Sequence, residues 1–421
     1  LLTACGGGGG GSSDGASSSN SSTAAATDTV LSGVAATGSP LGGARISVVD
    51  AKGKALGTAT TGFTDGRYSI NLGTKLPTGP LMVQVTGVDA AGNPQVLHSA
   101  VPTVASAMVA NITPLTDASV ALALGGDPRP VFANASSSAG ALASLAQAKV
   151  AAEFLKTLIK SQLTDVKLTN AATLDLLGDG TYTADKKPQD LLVEAVRVSL
   201  GKGSKGEAQL QLAGKVQVSL APEVTVDLGL AKTELAKATG AAPATAITST
   251  LKATSSYAAV LSTMGTMDDL VAALNKLIAQ GSSASTLEAS PLLAAYTQND
   301  GRTAADLAAL LERYASKNWQ LGRFLVTGCA DDVQGKGTCA KVQVAAQVTD
   351  SSGVVTDLFS DVLSYSKTPA AGVPAWGLAG NGKSLPFQVR AASWLGLEAD
   401  GGASTGAAGT PSSGVVLGLA G

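Results

Sequence analysis

The chain is poor in the residues that carry most catalysis and recognition. Its 421 residues include one histidine, three cysteines and three tryptophans, with aromatics at 4% and charged residues at 14%. A single histidine means that any Ser-His-Asp or Cys-His arrangement must run through His98. That residue sits in "PQVLHSAV", which alternates like a strand and has no nucleophile motif beside it, so it reads as a strand or rim residue. Few aromatics leave the cores to Ala, Val and Leu, and leave few platforms for the sugar rings that a glycosidase must hold. A net charge of −2 gives no basic stripe to neutralise phosphates, which excludes nucleic acid as a partner. No apolar run reaches the roughly 18 residues that a membrane-spanning helix needs. What is plentiful is glycine, at 50 residues, and small apolar side chains within a 45% hydrophobic total. That suits packed cores cut by many turns, in about three domains at ~150 residues each.

Leu2-Thr3-Ala4-Cys5 resembles the bacterial lipobox, in which small residues precede a cysteine. The cysteine thiolate is the nucleophile that accepts a diacylglyceryl group. The resemblance implies that residues 1–4 are the remnant of a signal peptide, that cleavage falls before Cys5, and that Cys5 carries the lipid. Each buried methylene contributes about 0.8 kcal/mol, so several acyl chains on one cysteine make a lasting anchor. Residues 5–27 then form the lipidated cysteine and its tether. Its Gly, Ser, Ala, Thr and Asn residues cannot bury enough apolar surface to offset ordering entropy. Such a coil reaches about 25 Å. Gly6 stands where an inner-membrane retention signal has Asp, which favours the outer membrane by resemblance to that sorting rule. The side of that membrane on which the protein faces is left open.

Residues 28–115 read as short alternating strands: "TVLSGVAATG", "ARISVVDA", "KALGTATTG", "GRYSINLG", "LMVQVTGVDA" and "PQVLHSAV". Gly33-Val34, the run Pro40-Leu41-Gly42-Gly43-Ala44-Arg45-Ile46-Ser47-Val48, and Thr64-Asp65-Gly66-Arg67-Tyr68-Ser69-Ile70 resemble the carboxypeptidase regulatory-like domain. That resemblance implies a transthyretin-like sandwich, also classed as a carbohydrate-binding-like fold, serving as an accessory module. Pro40 to Gly43 would turn between the first two strands, Asp65-Gly66 would form a hairpin turn, and Tyr68 would pack in the core.

Beyond it, 128–137 reads as a Pro/Ser-rich linker, and Ala139 to Leu163 as a helix with Leu142, Leu145, Val150, Phe154, Leu158 and Ile159 near one face. A short helix is expected from Pro188 to Val196, followed by three antiparallel strands, so 138–230 is a helical segment plus β-hairpins. Together with "ITPLT", the stretch Ala184-Asp185, Asp190, Leu191 and Leu192 is similar to uncharacterised proteobacterial surface lipoproteins, a resemblance that implies no activity. Residues 261–396 read as an α+β domain with helices over 266–280, 290–297 and 303–316 and an antiparallel meander after Trp319, ending in "SLPFQVRAASW". This part is similar to the NTF2-like cone, in which helices wrap a curved sheet. Residues 397–421 form a flexible tail. The expected fold class is therefore multidomain: an all-β transthyretin-like sandwich followed by α+β regions with an antiparallel sheet.

Cys329 and Cys339 flank a hairpin with Gly335 and Gly337 near its tip, and an oxidising compartment would let them pair. Their spacing does not match a zinc site. Gly201, Gly203 and Gly206 satisfy G-x-G-x-x-G, but "EAQLQLAG" after them alternates as a strand and not as a phosphate-binding helix, so they read as a turn. Asp175, Asp179, Asp185 and Asp190 crowd one Gly-containing segment and form a weak calcium candidate, against an ordinary role in capping and turns. No cofactor is expected. The function expected is non-catalytic: a lipid-anchored envelope protein with a display or binding role at the outer membrane, its partners being membrane lipid through Cys5 and a glycan or protein ligand. The alternative is an envelope hydrolase using carboxylates near Asp179–Asp190.

Overall fold

A computed structural model describes residues 28–237, 252–332 and 339–384. The tether, the strand expected at "SLPFQVRAASW" and the tail lie outside these residues. The protein is multidomain, with antiparallel sheets and helices.

The N-terminal region is all-β. Strands β1 (Val30–Val34), β2 (Arg45–Val49), β3 (Ala55–Thr60), β4 (Arg67–Asn71), β5 (Leu81–Val88), β6 (Pro94–Val101) and β7 (Ala107–Val109) make two sheets, ordered β3-β2-β5-β6 and β4-β1-β7. All pairs are antiparallel except β1 with β7. Alternation explains the two-sided arrangement: Ile46 and Val48 of β2, Tyr68 and Ile70 of β4 and Val83 and Val85 of β5 point into one shared core. Tyr68 is buried in it and donates its hydroxyl to the Ala110 carbonyl at 2.5 Å. Gly33 lies below it, where an added Cβ would stand 2.0 Å from the Ala110 oxygen, so only glycine fits this crossing. Burial raises the Tyr68 phenol far above the usual tyrosine range.

A helix at Pro114–Leu124 follows, in a stretch that the sequence left unassigned. Thr113 caps it in a box with Thr116, Pro114 starts it, and Gly125 ends it with φ +73°. Nine of its eleven residues are buried, because it packs on β6 on one side and on later helices and strands on the others. A helix buried all round has no polar stripe, and that is why periodicity did not mark it.

The expected single helix from Ala139 is broken into pieces at Ala139–Ala143, Ala148–Leu158 and Lys160–Asp165, the first two joined by a 3-10 turn. The expected linker holds the short helix Pro128–Ala133, capped by Asp127. The helix Pro188–Ala195 and the sheet of β8 (Val196–Lys202), β9 (Ala208–Gly214) and β10 (Val224–Asp227) match expectation. The Gly201–Gly206 string lies at the β8–β9 turn, where Gly206 takes φ +81°.

In the C-terminal part, the helices Met267–Ala279 and Ala304–Ser316 accompany a five-stranded sheet. A two-residue hairpin, β11 (Gln298–Asn299) and β12 (Arg302–Thr303), precedes it. Its strands are β13 (Gln320–Leu321), β14 (Leu325–Asp332), β15 (Cys339–Thr349), β16 (Val355–Tyr365) and β17 (Trp376–Leu378). The helix expected at 290–297 is instead a chain of turns; the short helix there is Ala284–Glu288. One apolar cluster runs from Val34 and Met82 of the sandwich through the Pro114–Leu124 helix to Trp376 and Leu378.

Candidate functional site

Three elements converge on a cleft of about 360 Å³: the turns of the sandwich at Ser39–Pro40 and Phe63–Thr64, the helix Met267–Ala279, and the C-terminal sheet at Arg323 and Gln347. Each wall is held by a specific device. On the sandwich side, Thr61 donates its hydroxyl to the Leu41 carbonyl at 2.5 Å and accepts from the Ala44 amide at 2.8 Å. Phe63 lies over Gly42 and Gly43, where a Cβ would meet its carbonyl oxygen at 2.3 Å or its ring at 2.7 Å. At Gly353, in the β15–β16 turn, an added Cβ would meet the Phe63 side chain at ordinary contact distance. Phe63 as a whole stays 45% exposed.

On the other side, Asn275 exchanges two hydrogen bonds with the Leu321 backbone, at 2.8 and 2.9 Å, and so fixes the helix to β13. Arg323 donates to Asp268 Oδ2 at 2.6 Å. Burial pushes the Asp268 carboxyl up, and Arg323 opposes that. Two polar atoms at the cleft are buried without a partner among the described residues: Asp268 Oδ1 and Ser39 Oγ. Ser39 is 2% exposed.

Beneath Ser39 lies a buried charge network. Lys186 and Glu194, both wholly buried, form an ion pair. Lys186 Nζ also donates to the Gly38 carbonyl at 2.8 Å, and Glu194 Oε1 accepts from the Val326 amide at 2.5 Å. Asp190 accepts from the Tyr182 hydroxyl and the Lys186 amide, each at 3.0 Å. Burial raises Asp190, with Lys186 opposing, and raises Tyr182. Lys215 reaches the Thr37 carbonyl at 3.4 Å; burial of its ammonium holds it below the usual lysine range, with Glu194 opposing. The network ties the sandwich turn, the Pro188–Ala195 helix and β14 together. Gly38, at φ +100°, approaches Glu194 so closely that a Cβ would stand 2.7 Å from that side chain's own Cβ.

The calcium candidates do not converge. Asp175 accepts from the Leu177 and Gly178 amides, Asp179 from Thr181, and Asp185 pairs with Lys187 at the surface, while Asp190 is in the network above. Among the described residues no group of three or more His, Cys, Asp or Glu could hold a metal ion. The same separation leaves the carboxylates near Asp179–Asp190 without a common open site. His98 is fully buried. Its Nδ1 lies 2.7 Å from Asp117 Oδ1 and its Nε2 2.9 Å from the Gln84 amide nitrogen. An amide nitrogen only donates, so Nε2 accepts and the proton sits on Nδ1. With both nitrogens engaged, His98 bolts the Pro114–Leu124 helix to the sandwich.

Cys329 and Cys339 form the expected disulfide across β14 and β15, with Cα atoms 5.7 Å apart. Cys5 lies outside the described residues. Sequence reading missed Ser39, Phe63, Asp268 and Arg323 as a set; only the Pro40–Gly43 turn pointed near them. Compared with known proteins, the chain matches no family model, no curated protein and no solved structure.

Proposed function

We propose that the chain is a lipid-anchored, non-catalytic protein of the bacterial outer membrane, and that it binds a ligand through the cleft between its sandwich and its C-terminal sheet. The observation that carries this reading is Leu2-Thr3-Ala4-Cys5 followed by a Gly/Ser-rich tether. A thiol acylated at that position, with a coil of about 25 Å behind it, would hold the folded part clear of the headgroups. The Cys329–Cys339 bond supports an oxidising compartment, since such bonds persist there and are rare where thiols are kept reduced. The two-sheet core, the buried Tyr68 and the glycine turn at Gly42–Gly43 support a transthyretin-like sandwich of the carboxypeptidase regulatory-like kind. The engaged nitrogens of His98 and the dispersed aspartates favour binding over hydrolysis.

The test is fractionation of a bacterial host expressing the full chain behind its own or a grafted lipoprotein signal. The native chain should sediment with outer membranes and label with palmitate. Cys5→Ser should lose the label and move to the soluble fraction. Retention of the Cys5→Ser variant in membranes would refute the anchor.

A further inference from the structure

The net charge of −2 conceals an uneven distribution between the two ends of the sandwich. Antiparallel pairing gathers the strand connections into two sets. One set, 35–44, 61–66 and 89–93, runs to the cleft and holds Asp65 and Asp89 with no lysine or arginine. The other set is 50–54, 72–80 and 102–106, and the chain enters the fold among them. Thr29 donates its amide to the Gly73 carbonyl at 2.7 Å, Val30 to the Ser106 carbonyl at 2.8 Å, and Ala51 to the Thr78 carbonyl at 3.0 Å. These bonds put Asp28, the β2–β3 turn and the β4–β5 loop on one surface. That surface carries Lys52, Lys54 and Lys75, all exposed and without an ion-pair partner among the described residues. Of its two acids, Asp50 is 4% exposed and its carboxylate turns inward onto the Lys52 and Lys54 amides, at 2.9 Å each. The exposed charges are therefore three lysines against Asp28. Beside Lys75, Leu76 stays 53% exposed. A lone exposed leucine is ordinary. One set among free ammonium groups, where the chain leaves for its anchor, suits a bilayer interface: phosphates meet the cations and the acyl boundary takes the side chain. Residues 6–27 separate Cys5 from Asp28, and the random-coil reach of that length is about 25 Å, so an acylated Cys5 would hold this end nearest the headgroups.

We propose that this end of the sandwich docks on an anionic lipid surface, with Lys52, Lys54 and Lys75 on headgroup phosphates and Leu76 at the acyl boundary. The proposal rests on the reading of Cys5 as the lipid-bearing residue and adds an orientation to it. The cleft, at the opposite end of the sandwich, then faces away from the membrane.

The experiment is sedimentation of the full chain carrying Cys5→Ser with vesicles of phosphatidylcholine alone and of equal parts phosphatidylcholine and phosphatidylglycerol, at millimolar lipid and low salt. The chain should bind the anionic vesicles and not the neutral ones, and should be released at about 1 M salt, where the screening length falls to about 3 Å. A lysine at an anionic surface contributes about fivefold in partition, so the triple variant Lys52→Gln, Lys54→Gln, Lys75→Gln should weaken binding about a hundredfold. Leu76→Ser should weaken it about fivefold. All four side chains are exposed, so these variants should fold as the native chain does. A control variant, Lys160→Gln, Lys205→Gln, Lys367→Gln, changes the net charge equally at exposed lysines outside these loops and should leave binding unchanged. Equal binding to both vesicles, binding to neither, native-like binding by the first triple variant or by Leu76→Ser, or an equal loss in the control would each overturn the proposal. At the salt of a cell fractionation, screening leaves three lysines too weak to retain the chain, so Cys5→Ser still decides the anchor and the two claims fail separately.

Discussion

The ion pair between Lys186 and Glu194 makes a sharp energetic claim. Both side chains are fully removed from water, and each has one further bond, Lys186 to the Gly38 carbonyl and Glu194 to the Val326 amide. Truncating one member of such a pair strands the other as an uncompensated buried charge, at a cost of about 3–5 kcal/mol. Lys215 makes the two halves unequal. Its ammonium draws on Glu194 as well, so Lys186→Met leaves Glu194 with a second cation nearby, whereas Glu194→Gln leaves two lysines that have lost their nearest carboxylate, with Asp190 and, for Lys215, Asp89 as what remains. Lys186→Met should therefore cost about 3 kcal/mol and Glu194→Gln about 5. In the double variant the Gln carbonyl can still accept from the Val326 amide and neither member of the pair is left as a stranded charge, so the loss should fall to about 1–2 kcal/mol. Urea denaturation followed by fluorescence of the buried Trp376 reads all three. The double-mutant cycle should give a coupling of several kcal/mol. Additive losses, or single losses below about 1 kcal/mol, would show that the pair does not hold the sandwich turn to the rest of the protein.

Reducing the Cys329–Cys339 bond frees a short loop in the unfolded chain, and should cost about 3 kcal/mol; an unchanged urea midpoint with and without reductant would contradict this. Asp361 supplies a pH test. It is fully buried, bonded to Arg302 at 2.6 Å, and burial outweighs that guanidinium to push its carboxyl up to about 6. The folded state then binds the proton more tightly than the unfolded state, whose carboxyl titrates near 3.9. Stability from this group is full below about pH 4 and lost as pH rises through about 6, by about 3 kcal/mol at most. The stability difference between the native chain and Asp361→Asn should shrink across that window; a difference that grows with pH would mean that Arg302 dominates.

The strands of the N-terminal region were legible because each carries a clean alternation, as in "RYSIN", bounded by Gly or Asn. The disulfide was legible because two cysteines flanked a hairpin. The Pro114–Leu124 helix was not, since burial on every side removes the polar face that reveals a helix. The Pro/Ser stretch at 128–137 looked like a linker because Pro and Ser serve helix starts as well as loops: Asp127 caps and Pro128 opens a short helix there. The cleft was invisible for a different reason. Ser39, Phe63, Asp268 and Arg323 are brought together only by the packing of separate regions, and no local spacing connects them.

The helix buried between the sandwich and the later elements also bears on how this protein can be taken apart. Val49, Met82 and Ala100 of the sandwich belong to the same apolar cluster as that helix. A sandwich cut out before Pro114 would present these side chains to water, and the remainder would present the helix itself. A module that recombines freely between genes needs a finished surface on every side. Here the surface is unfinished without its neighbour, so the two parts must be inherited, expressed and engineered as one.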